Sequence, residues 1–283
     1  MVDCLIFCYN YLRMKQLNGS ELMGYIKERQ AKQVRTLRQQ WRVFPRLAIV
    51  VTNPTPVIET YIRLKKSYAA DIGAEVEIHT VSQAEAKATI LALNANPAIQ
   101  GIIVQLPLFD PSETDEIVNV VAPEKDVDAL GKDATLDPAT PMAINWLLAG
   151  YNIEIKHKNI VIVGAGRLVG APLAQMWQNS GCDVTIVTKD TPDIKPVLIE
   201  ADIIVTATGV PGLITSDMVK NGAVLVDAGT ASEDGIIKGD VSPELRARQD
   251  IIMTPEKGGV GPLTVAALFD NLLQAARQTI QTT

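Results

Sequence analysis

The chain has 283 residues, a formal net charge of −6 and a pI near 5.1. Such an acidic balance argues against nucleic acid or an anionic membrane as the main partner. With 47% apolar and 20% charged residues, the composition is typical of a globular protein with a sizeable core. Three scattered cysteines and two histidines indicate neither a disulfide framework nor a zinc site, so we expect a protein of the reducing cytoplasm without a bound metal.

The first twelve residues are apolar and aromatic. They lack a basic start, a small-residue cleavage site and the length that crosses a membrane, so no signal peptide is predicted. We expect the folded part to begin near Met14, with an upstream extension or a poorly ordered tail before it.

Helical patterns alternate with short runs rich in valine and isoleucine along the whole chain. This alternation predicts an α/β protein in which parallel sheets are covered by helices on both faces. A helix near the middle of the chain is the expected bridge between two domains. The predicted helices cover 20–40, 57–72, 83–94, 113–121, 142–148, 172–179 and 264–280, and the predicted strands 47–52, 76–79, 101–104, 160–163, 183–187, 202–207, 223–227 and 251–253.

One glycine-rich stretch predicts a nucleotide site. The strand at 160–163 is followed by Gly164, Gly166 and Gly170, and then by a segment compatible with a helix. A strand that enters a helix through glycines leaves backbone N–H groups at the positive end of the helix dipole, where a pyrophosphate binds. The glycine spacing departs from the commonest dinucleotide fingerprint, so an ordinary turn between strand and helix is the alternative.

Further polar residues stand where a site is expected. Tyr61 and Lys65 share one helix face, and Gln105 follows a buried strand at the sheet edge where α/β proteins bind ligands. Asp126 and Asp128 offer carboxylates that could bind the amidine-like edge of a ring. For each of these residues, a solvated or purely structural role is the alternative.

Three glycines in four residues, at 258–261, precede the last predicted helix. They indicate either a very tight turn or the close approach of a ligand to the backbone.

Several motifs together resemble the bifunctional methylenetetrahydrofolate dehydrogenase/methenyltetrahydrofolate cyclohydrolase family. The similarity extends from about Leu17 to the C-terminus, and no formyltetrahydrofolate synthetase domain follows, so the chain resembles the short form. In chain order the motifs are Tyr61-Ile-Arg-Leu-Lys65, Val104-Gln-Leu-Pro-Leu108, Pro123-Glu-Lys-Asp-Val-Asp128, Thr140-Pro141, Val169-Gly170-x-Pro172, Gly239-Asp240-Val241 and Gly258-Gly-Val-Gly-Pro262 with Thr264.

The resemblance implies a homodimer whose chains have two α/β domains with a cleft between them. A folate-binding catalytic domain would comprise 14–141 and the C-terminal helix 264–283, and a Rossmann-like, doubly wound nicotinamide-binding domain would comprise 142–263. The implied reaction belongs to one-carbon metabolism. Methylenetetrahydrofolate passes a hydride to NAD or NADP, and water then opens the methenyl ring to give formyltetrahydrofolate.

The resemblance also assigns roles to residues. Lys65 would be the catalytic cation, Gln105 would hold it by a hydrogen bond, and Asp128 would anchor the pterin. Tyr61 would stack on the folate. Further substrate-binding positions would be Leu106, Pro107, Gly258, Gly259, Val260, Gly261 and Pro262, and the cofactor-binding positions Gly164, Ala165, Gly166, Arg167, Leu168, Val169, Thr188, Lys189, Asp190, Thr208, Gly209 and Gly229.

The chain departs from the family pattern where the cofactor ribose would bind. Ala165 replaces the arginine that clamps the ribose phosphate of NADP, and Thr188-Lys189 replaces a His-Ser pair. Lys189 could restore the lost charge, whereas the following Asp190 could bind an unphosphorylated ribose, and we favour NAD.

Three further departures affect the folate side. Ile58 replaces a small hydroxyl residue, Ala129 a glycine, and Glu256-Lys257 an apolar pair. Two alternative functions remain, and the altered ribose-binding positions motivate the second of them. One is another two-domain dehydrogenase of the shikimate dehydrogenase kind, and the other is a non-catalytic folate or nucleotide sensor descended from the enzyme.

Overall fold

The computed structural model describes residues 16–233 and 236–281, so the prediction for the N-terminal tail lies outside the described residues. The described chain divides into two compact units. A three-stranded unit comprises 23–139 and 264–281, and a five-stranded unit comprises 16–22 and 140–263. No helix in this part of the chain is both long and apolar enough to cross a membrane.

The three-stranded unit contains a parallel sheet in the order β2-β1-β3. Apolar residues of β1 and β3 form its core together with α3 and the segment after β3. Its helices and strands are α1 (Gly19–Gln40, which starts in the other unit), β1 (Arg46–Val51), α2 (Pro56–Ile72), β2 (Glu75–Thr80), α3 (Gln83–Ala95), β3 (Gly101–Val104) and the short α4 (Thr114–Val118).

Local sequence signals explain why α2 begins and ends where it does. The Thr55 hydroxyl accepts a hydrogen bond from the Ile58 N–H, and Pro56 occupies the first helical position, where its missing N–H is not needed. Gly73 ends the helix with φ of 82°, a conformation that glycine adopts without strain. Lys65 is therefore carried by a well-defined helix.

The five-stranded unit contains a parallel sheet in the order β10-β7-β6-β4-β5. The chain first extends the sheet from β4 to β5 and then crosses to the other side of β4 for β6, so the switch point lies between β4 and β6. The elements are α5 (Ala139–Gly150), β4 (Ile160–Val163), α6 (Gly170–Asn179), β5 (Val184–Val187), α7 (Lys195–Leu198), β6 (Ile203–Thr206), β7 (Val224–Asp227), the antiparallel pair β8 (Ala231–Glu233) and β9 (Ile236–Lys238), α8 (Pro243–Arg246), β10 (Ile252–Met253) and α9 (Val260–Gln281), whose later turns belong to the three-stranded unit.

The α/β class and the two parallel sheets confirm the predicted fold class. The predicted strands all occur, with ends that agree within one residue, whereas α7, α8 and the β8–β9 pair were not predicted. The acidic helix expected at 113–121 is shorter at both ends. A 3-10 turn at Pro111–Glu113 includes its expected first residue, and after Val118 the N–H groups of Val120 and Val121 bond three residues back, as in turns. The last helix starts at Val260 rather than at Thr264.

The unit boundaries differ from the expected domains in two places. The boundary in the middle of the chain lies between residues 139 and 140 rather than between 141 and 142. Residues 16–22 were expected in the first domain, but they belong to the five-stranded unit. The Leu17 N–H donates to the Met253 carbonyl at 2.9 Å, and the Ser20 N–H donates to the Gly258 carbonyl at 2.9 Å. These backbone hydrogen bonds attach the start of α1 to the segment that follows β10.

Candidate functional sites

Lys65 and Gln105 are joined by a direct hydrogen bond. The Lys65 Nζ donates to the Gln105 Oε1 at 2.7 Å, as the resemblance implied. Gln105 follows β3, and its Nε2 donates to the carbonyl of Leu106 at 3.1 Å. Because that second bond uses the NH2 group, the amide oxygen is the atom that faces the lysine.

Asp128 supplies the negative charge near this lysine. The pKa of Lys65 is lowered, because burial disfavours the charged ammonium, and the Asp128 carboxylate offsets part of this effect. The pKa of Asp128 is raised by its own burial and by the charge of Asp126, while Lys65 acts in the opposite direction. A half-buried lysine with a lowered pKa can exchange protons closer to neutral pH than a solvated lysine can.

Asp126 and Asp128 have different surroundings. Asp126 is only 4% exposed, and its carboxylate accepts the N–H of Gly131 at 2.7 Å and that of Leu130 at 3.4 Å. The structural alternative considered for this pair therefore applies to Asp126, which closes the loop. Asp128 is half-buried, and it is the carboxylate whose charge acts on Lys65.

The loop that carries Asp128 is held from two further sides. The Lys125 Nζ donates to three backbone carbonyls at the end of α3, those of Leu93, Asn94 and Asn96, at 2.7–3.1 Å. The buried Asn271 of α9 donates to the carbonyls of Val127 and Asp137, at 2.9 and 2.8 Å. We did not single out Asn271 from the sequence, since an asparagine within an apolar helix gives no signal of its distant partners.

The expected substrate-binding residues of this unit lie close to these groups along the chain. Tyr61 is half-buried one helical turn before Lys65, and burial raises the pKa of its hydroxyl. Leu106 is half-buried and Pro107 is exposed, and the peptide bond between them is cis. Ile58, a departure from the family pattern, is 3% exposed.

The glycine run at 258–261 is explained largely by packing. A Cβ on Gly258, whose φ is +84°, would lie 2.7 Å from the Ser20 hydroxyl, and a Cβ on Gly19 would lie 1.9 Å from the Gly259 carbonyl oxygen. The backbone thus approaches another segment of its own unit. Val260, Gly261 and Pro262 form the first turn of α9 rather than the expected loop, and among the described residues a Cβ on Gly261 would meet no atom within 4 Å outside the backbone of its own helix. Only Gly261 is left without a packing reason.

The glycine turn of the five-stranded unit has the predicted strand–turn–helix geometry. Gly164 has φ of +99°, and a Cβ on Gly170 would lie 1.8 Å from the Gly164 carbonyl oxygen. The turn is therefore closed tightly against the start of α6. Between these two glycines, Ala165, Gly166, Arg167 and Leu168 are exposed and Val169 is half-buried at the helix N-cap.

The next loop at the switch point follows β6. A Cβ on Gly164 would lie 2.7 Å from the Ala207 carbonyl oxygen and 3.1 Å from the Thr208 Cγ2. The turn at 164–169 and the loop at 207–210 are therefore in contact. They line the crevice outside the carboxyl ends of β4 and β6, where doubly wound sheets bind nucleotides.

The residues expected to bind the ribose lie in a compact turn after β5, the other neighbour of β4. The Thr188 N–H donates to the Thr191 hydroxyl at 3.1 Å, and the Asp190 N–H donates to the Thr188 hydroxyl at 3.2 Å. Lys189 and Asp190 are exposed. Both side chains are therefore accessible at the carboxyl edge of the sheet.

Gly229 differs from the other expected cofactor residues. It is buried, its N–H donates to the Asp227 carboxylate at 3.1 Å, and a Cβ there would lie 2.1 Å from the Asp240 carboxylate. The need for glycine at this position therefore comes from Asp240. The Gly239-Asp240-Val241 motif gives Asp240 no role from the sequence alone, and none of the family motifs contains Asp227.

Comparison with known proteins places both halves of the chain in one family. Residues 17–128 match the family model described as tetrahydrofolate dehydrogenase/cyclohydrolase, catalytic domain. Residues 138–280 match the NAD(P)-binding domain of the same family. These matches favour the folate enzyme over a dehydrogenase of the shikimate kind.

Individual relatives cover almost the whole chain. The bifunctional protein FolD of Sulfurovum sp. strain NBC37-1 is 38% identical over 94% of this chain and 99% of its own length. The crystal structure of the bifunctional FolD enzyme from Campylobacter jejuni superposes with a TM-score of 0.87 and 32% identity, covering 93% of this chain and 99% of that chain. The Trypanosoma brucei methylenetetrahydrofolate dehydrogenase-cyclohydrolase, solved with NADP and an inhibitor, has a TM-score of 0.87 and 29% identity, covering 93% and 97%.

The Lys65–Gln105 pair near Asp128, the glycine turn before α6 and the family matches agree with one another. The chain belongs to the tetrahydrofolate dehydrogenase/cyclohydrolase family.

Proposed function

We propose that this protein oxidises methylenetetrahydrofolate with NAD(P) and hydrolyses the resulting methenyltetrahydrofolate to formyltetrahydrofolate. The observation that carries the proposal is the 2.7 Å hydrogen bond between Lys65 and Gln105, with Asp128 acting on the same lysine. A desolvated lysine fixed by a neutral acceptor and faced by a carboxylate is suited to proton transfer at a cationic substrate.

The five-stranded unit fits a nicotinamide dinucleotide. The turn at 164–169 is closed by Gly170 and leaves an exposed stretch at the N-terminus of α6, where backbone N–H groups and the helix dipole favour a pyrophosphate. When bound, the nicotinamide supplies a hydride acceptor. Gly164 to Val169 would hold the phosphates, and Thr208 and Gly209 would line the other side of the crevice.

On the folate side, Asp128 would accept hydrogen bonds from the amidine-like edge of the pterin, and Tyr61 would stack on the ring system. Leu106 and Pro107 would line the pocket after Gln105.

Lys65 would act in the hydrolytic step. As its neutral amine it accepts a proton from the water that adds to the methenyl carbon, and it returns this proton to the ring nitrogen as the carbon–nitrogen bond breaks. The proton of the new hydroxyl group leaves to solvent as the formyl C=O bond forms, so the step consumes one water and releases one proton. Gln105 accepts a hydrogen bond from Nζ and so directs the amine. No other protein group needs to change its charge in this step.

Replacement of Lys65 with methionine tests the assignment. We expect Lys65→Met to lower the rate of methenyltetrahydrofolate hydrolysis by about 10²–10⁴-fold, the usual contribution of a general acid–base residue. Lys66→Met is the matched control, because Lys66 is the next residue on the same helix and is exposed. If the Lys65 variant is folded and hydrolyses methenyltetrahydrofolate at the control rate, the role assigned to Lys65 is wrong.

The function itself is tested on the unsubstituted protein. If that protein reduces neither NAD nor NADP with saturating methylenetetrahydrofolate, the proposed function is wrong. Calorimetric binding of folate or nucleotide without turnover would then favour the non-catalytic sensor.

Our proposal for the cofactor is a preference for NAD. Ala165 cannot clamp a ribose phosphate, and an acidic residue after the second strand of such a unit binds the 2′-hydroxyl of an unphosphorylated ribose. Asp190 is exposed in the turn after β5 and is suited to this role.

Comparison of kcat/KM for the two cofactors tests this preference. Asp190→Ala should lower kcat/KM for NAD, and Lys189→Ala should leave it unchanged. A protein that prefers NADP, and loses that preference in Lys189→Ala, would show instead that Lys189 replaces the missing arginine.

We also infer a homodimer in the cytoplasm. The dimer is supported by the resemblance to the family, and the location by the acidic composition and the few cysteines. Light scattering on the purified protein and fractionation of the source cells would test the two statements separately.

A further inference from the structure

Two aspartates and two glycines interlock beside the crevice of the five-stranded unit. A Cβ on Gly229 would lie 2.1 Å from the Asp240 carboxylate, and a Cβ on Gly239 would lie 2.0 Å from the Asp227 carboxylate. Each carboxylate therefore occupies the space that a side chain at the other glycine would need. The Asp240 N–H donates to the Asp227 Oδ1 at 3.0 Å, which joins the two halves.

Asp227 fixes this arrangement to the sheet. It ends β7, and its side chain is 5% exposed. It accepts hydrogen bonds from the Thr206 hydroxyl at 3.1 Å and from the Gly229 N–H at 3.1 Å, and it forms an ion pair with Arg246. The buried charge of Asp227 thus has a cationic partner on α8.

Asp240 connects this arrangement to the loop after β6 by hydrogen bonds. It is completely buried, and its two carboxylate oxygens accept the Thr208 N–H at 2.8 Å and the Val210 N–H at 3.0 Å. These donors flank Gly209, whose φ is +69°. One buried carboxylate therefore holds both arms of the turn at 208–210.

The same loop forms one wall of the nucleotide crevice. Ala207 and Thr208 lie against Gly164, at the contacts that a Cβ on Gly164 would violate. A displacement of the loop at 207–210 therefore changes the space beside the glycine turn. Asp240 itself is buried beneath the loop and can act on a ligand only through the two backbone amides that it holds.

We propose that Asp240 is a positioning residue for the nicotinamide cofactor, acting through the N–H groups of Thr208 and Val210, an inference that rests on the proposed function. Asparagine cannot replace it, because its amide offers one acceptor oxygen and turns an NH2 group toward the second N–H. Loss of a charge-assisted hydrogen bond beside the crevice should weaken cofactor binding by about tenfold or more.

The proposed two activities provide the internal control. Ring opening of methenyltetrahydrofolate needs no nicotinamide cofactor, so it reports on folded, active protein. In Asp240→Asn we expect the KM for the preferred cofactor to rise about tenfold or more, with kcat and KM for ring opening unchanged. Asp183→Asn makes the same chemical change at an exposed position before β5 and should change neither activity.

A second variant tests the contact from the loop side, in case Asp240→Asn does not fold. Val210 is 50% exposed. Val210→Pro removes the N–H group that donates a hydrogen bond to Asp240, and it leaves the buried carboxylate in place. Val210→Ala keeps the N–H and measures what the side chain contributes. We expect the cofactor KM of Val210→Pro to exceed that of Val210→Ala several-fold, again with ring opening intact.

Three results would overturn the inference. The first is an unchanged cofactor KM in Asp240→Asn with intact ring opening, and the second is an equal cofactor KM in the two Val210 variants. The third is a proportional loss of both activities at unchanged KM, which would indicate only less folded protein. If the unsubstituted protein catalyses neither step, the proposed function fails and the inference fails with it; activity in the unsubstituted protein separates the two cases.

Discussion

At the scale of single residues, the candidate site depends on a lysine whose pKa is changed by two opposing effects. Burial lowers the pKa of Lys65, and the Asp128 carboxylate partly restores it. The Gln105 amide accepts a hydrogen bond from Nζ without adding charge. The protonation state of the lysine therefore responds chiefly to its burial and to a single neighbouring carboxylate.

Asp128→Asn should move the pH profile of ring opening. Removing the carboxylate removes the effect that raises the pKa of Lys65, so the lysine should lose its proton at a lower pH. The neutral amine would then persist further into acid, and the acid limb of kcat should shift to lower pH. Because we propose that Asp128 anchors the pterin, the KM for methenyltetrahydrofolate should rise as well. The measurement is kcat against pH after subtraction of the uncatalysed rate. A limb that stays in place or moves to higher pH would show that Asp128 does not control Lys65.

Ala129 replaces a glycine of the family pattern and has a backbone conformation that favours glycine. Its φ is +55°, in the left-handed region that glycine adopts freely and alanine adopts at a cost of about 1–2 kcal/mol. Ala129→Gly should therefore stabilise the protein by about 0.5–1 kcal/mol, after the greater freedom of glycine in the unfolded chain is subtracted.

Urea unfolding measures this change, and Ala134→Gly is its control. Ala134 lies in the same loop without a positive φ, so the identical substitution there should destabilise. Destabilisation by both variants would contradict the strain argument.

At the scale of elements, α9 contributes to the Asp128 loop as well as to the core. Gln30 of α1 donates to the Ala266 carbonyl at 2.9 Å and accepts from the Tyr68 hydroxyl at 2.8 Å, and Tyr68 stacks on Phe269. Asn271 on the same helix reaches the carbonyl of Val127, next to Asp128. The helix therefore contributes both to the core and to the position of the carboxylate that we propose anchors the pterin.

Asn271→Ala should affect both stability and chemistry. It leaves the carbonyls of Val127 and Asp137 without their donor, at a cost of about 1–3 kcal/mol. The loosened loop should lower kcat for ring opening more than the fraction of folded protein accounts for. Gln274→Ala, on an exposed position of α9, is the control. Thermal unfolding and single-turnover rates would be compared, and a stability loss with an unchanged rate per folded molecule would assign Asn271 a structural role only.

The elements themselves were predictable because their signals are local. Runs of valine and isoleucine marked β4, β6 and β7, and Gly73 marked the end of α2. The start of α9 was placed too late, because the glycines at 258 and 259 suggested a loop, whereas their reason is the approach of Gly19 and Ser20 from far away in sequence. Asp227 and Asp240 were missed for the same cause, since their partners are backbone amides that no periodic pattern identifies.

At the scale of the whole molecule, the order of the chain and the order of its units differ. The three-stranded unit is built from 23–139 and 264–281, with the five-stranded unit between these segments in sequence. Phe269, Leu272 and Leu273 are at most 1% exposed. Each such side chain contributes about 1.5–3 kcal/mol by burial, so together they rival the stability of a typical domain.

Truncation after Leu263 should therefore unfold the three-stranded unit selectively. We expect ring opening to disappear, while binding of the preferred nicotinamide cofactor to the remaining five-stranded unit persists, because its sheet and crevice lie within 140–263. Cofactor titration followed by fluorescence, together with an activity assay, would show the split. Full ring-opening activity in the truncated protein would disprove the structural role of α9.

The carbonyl contacts of Asn271 also set an order of events during synthesis. Strand β3, which precedes Gln105, and helix α2, which carries Lys65, leave the ribosome early. Asn271, which binds the loop that carries Asp128, emerges only after the whole five-stranded unit has been translated. The five-stranded unit can thus fold before α9, the last helix of the three-stranded unit, has been synthesised. We therefore expect the nascent chain to gain cofactor affinity before it gains hydrolytic activity.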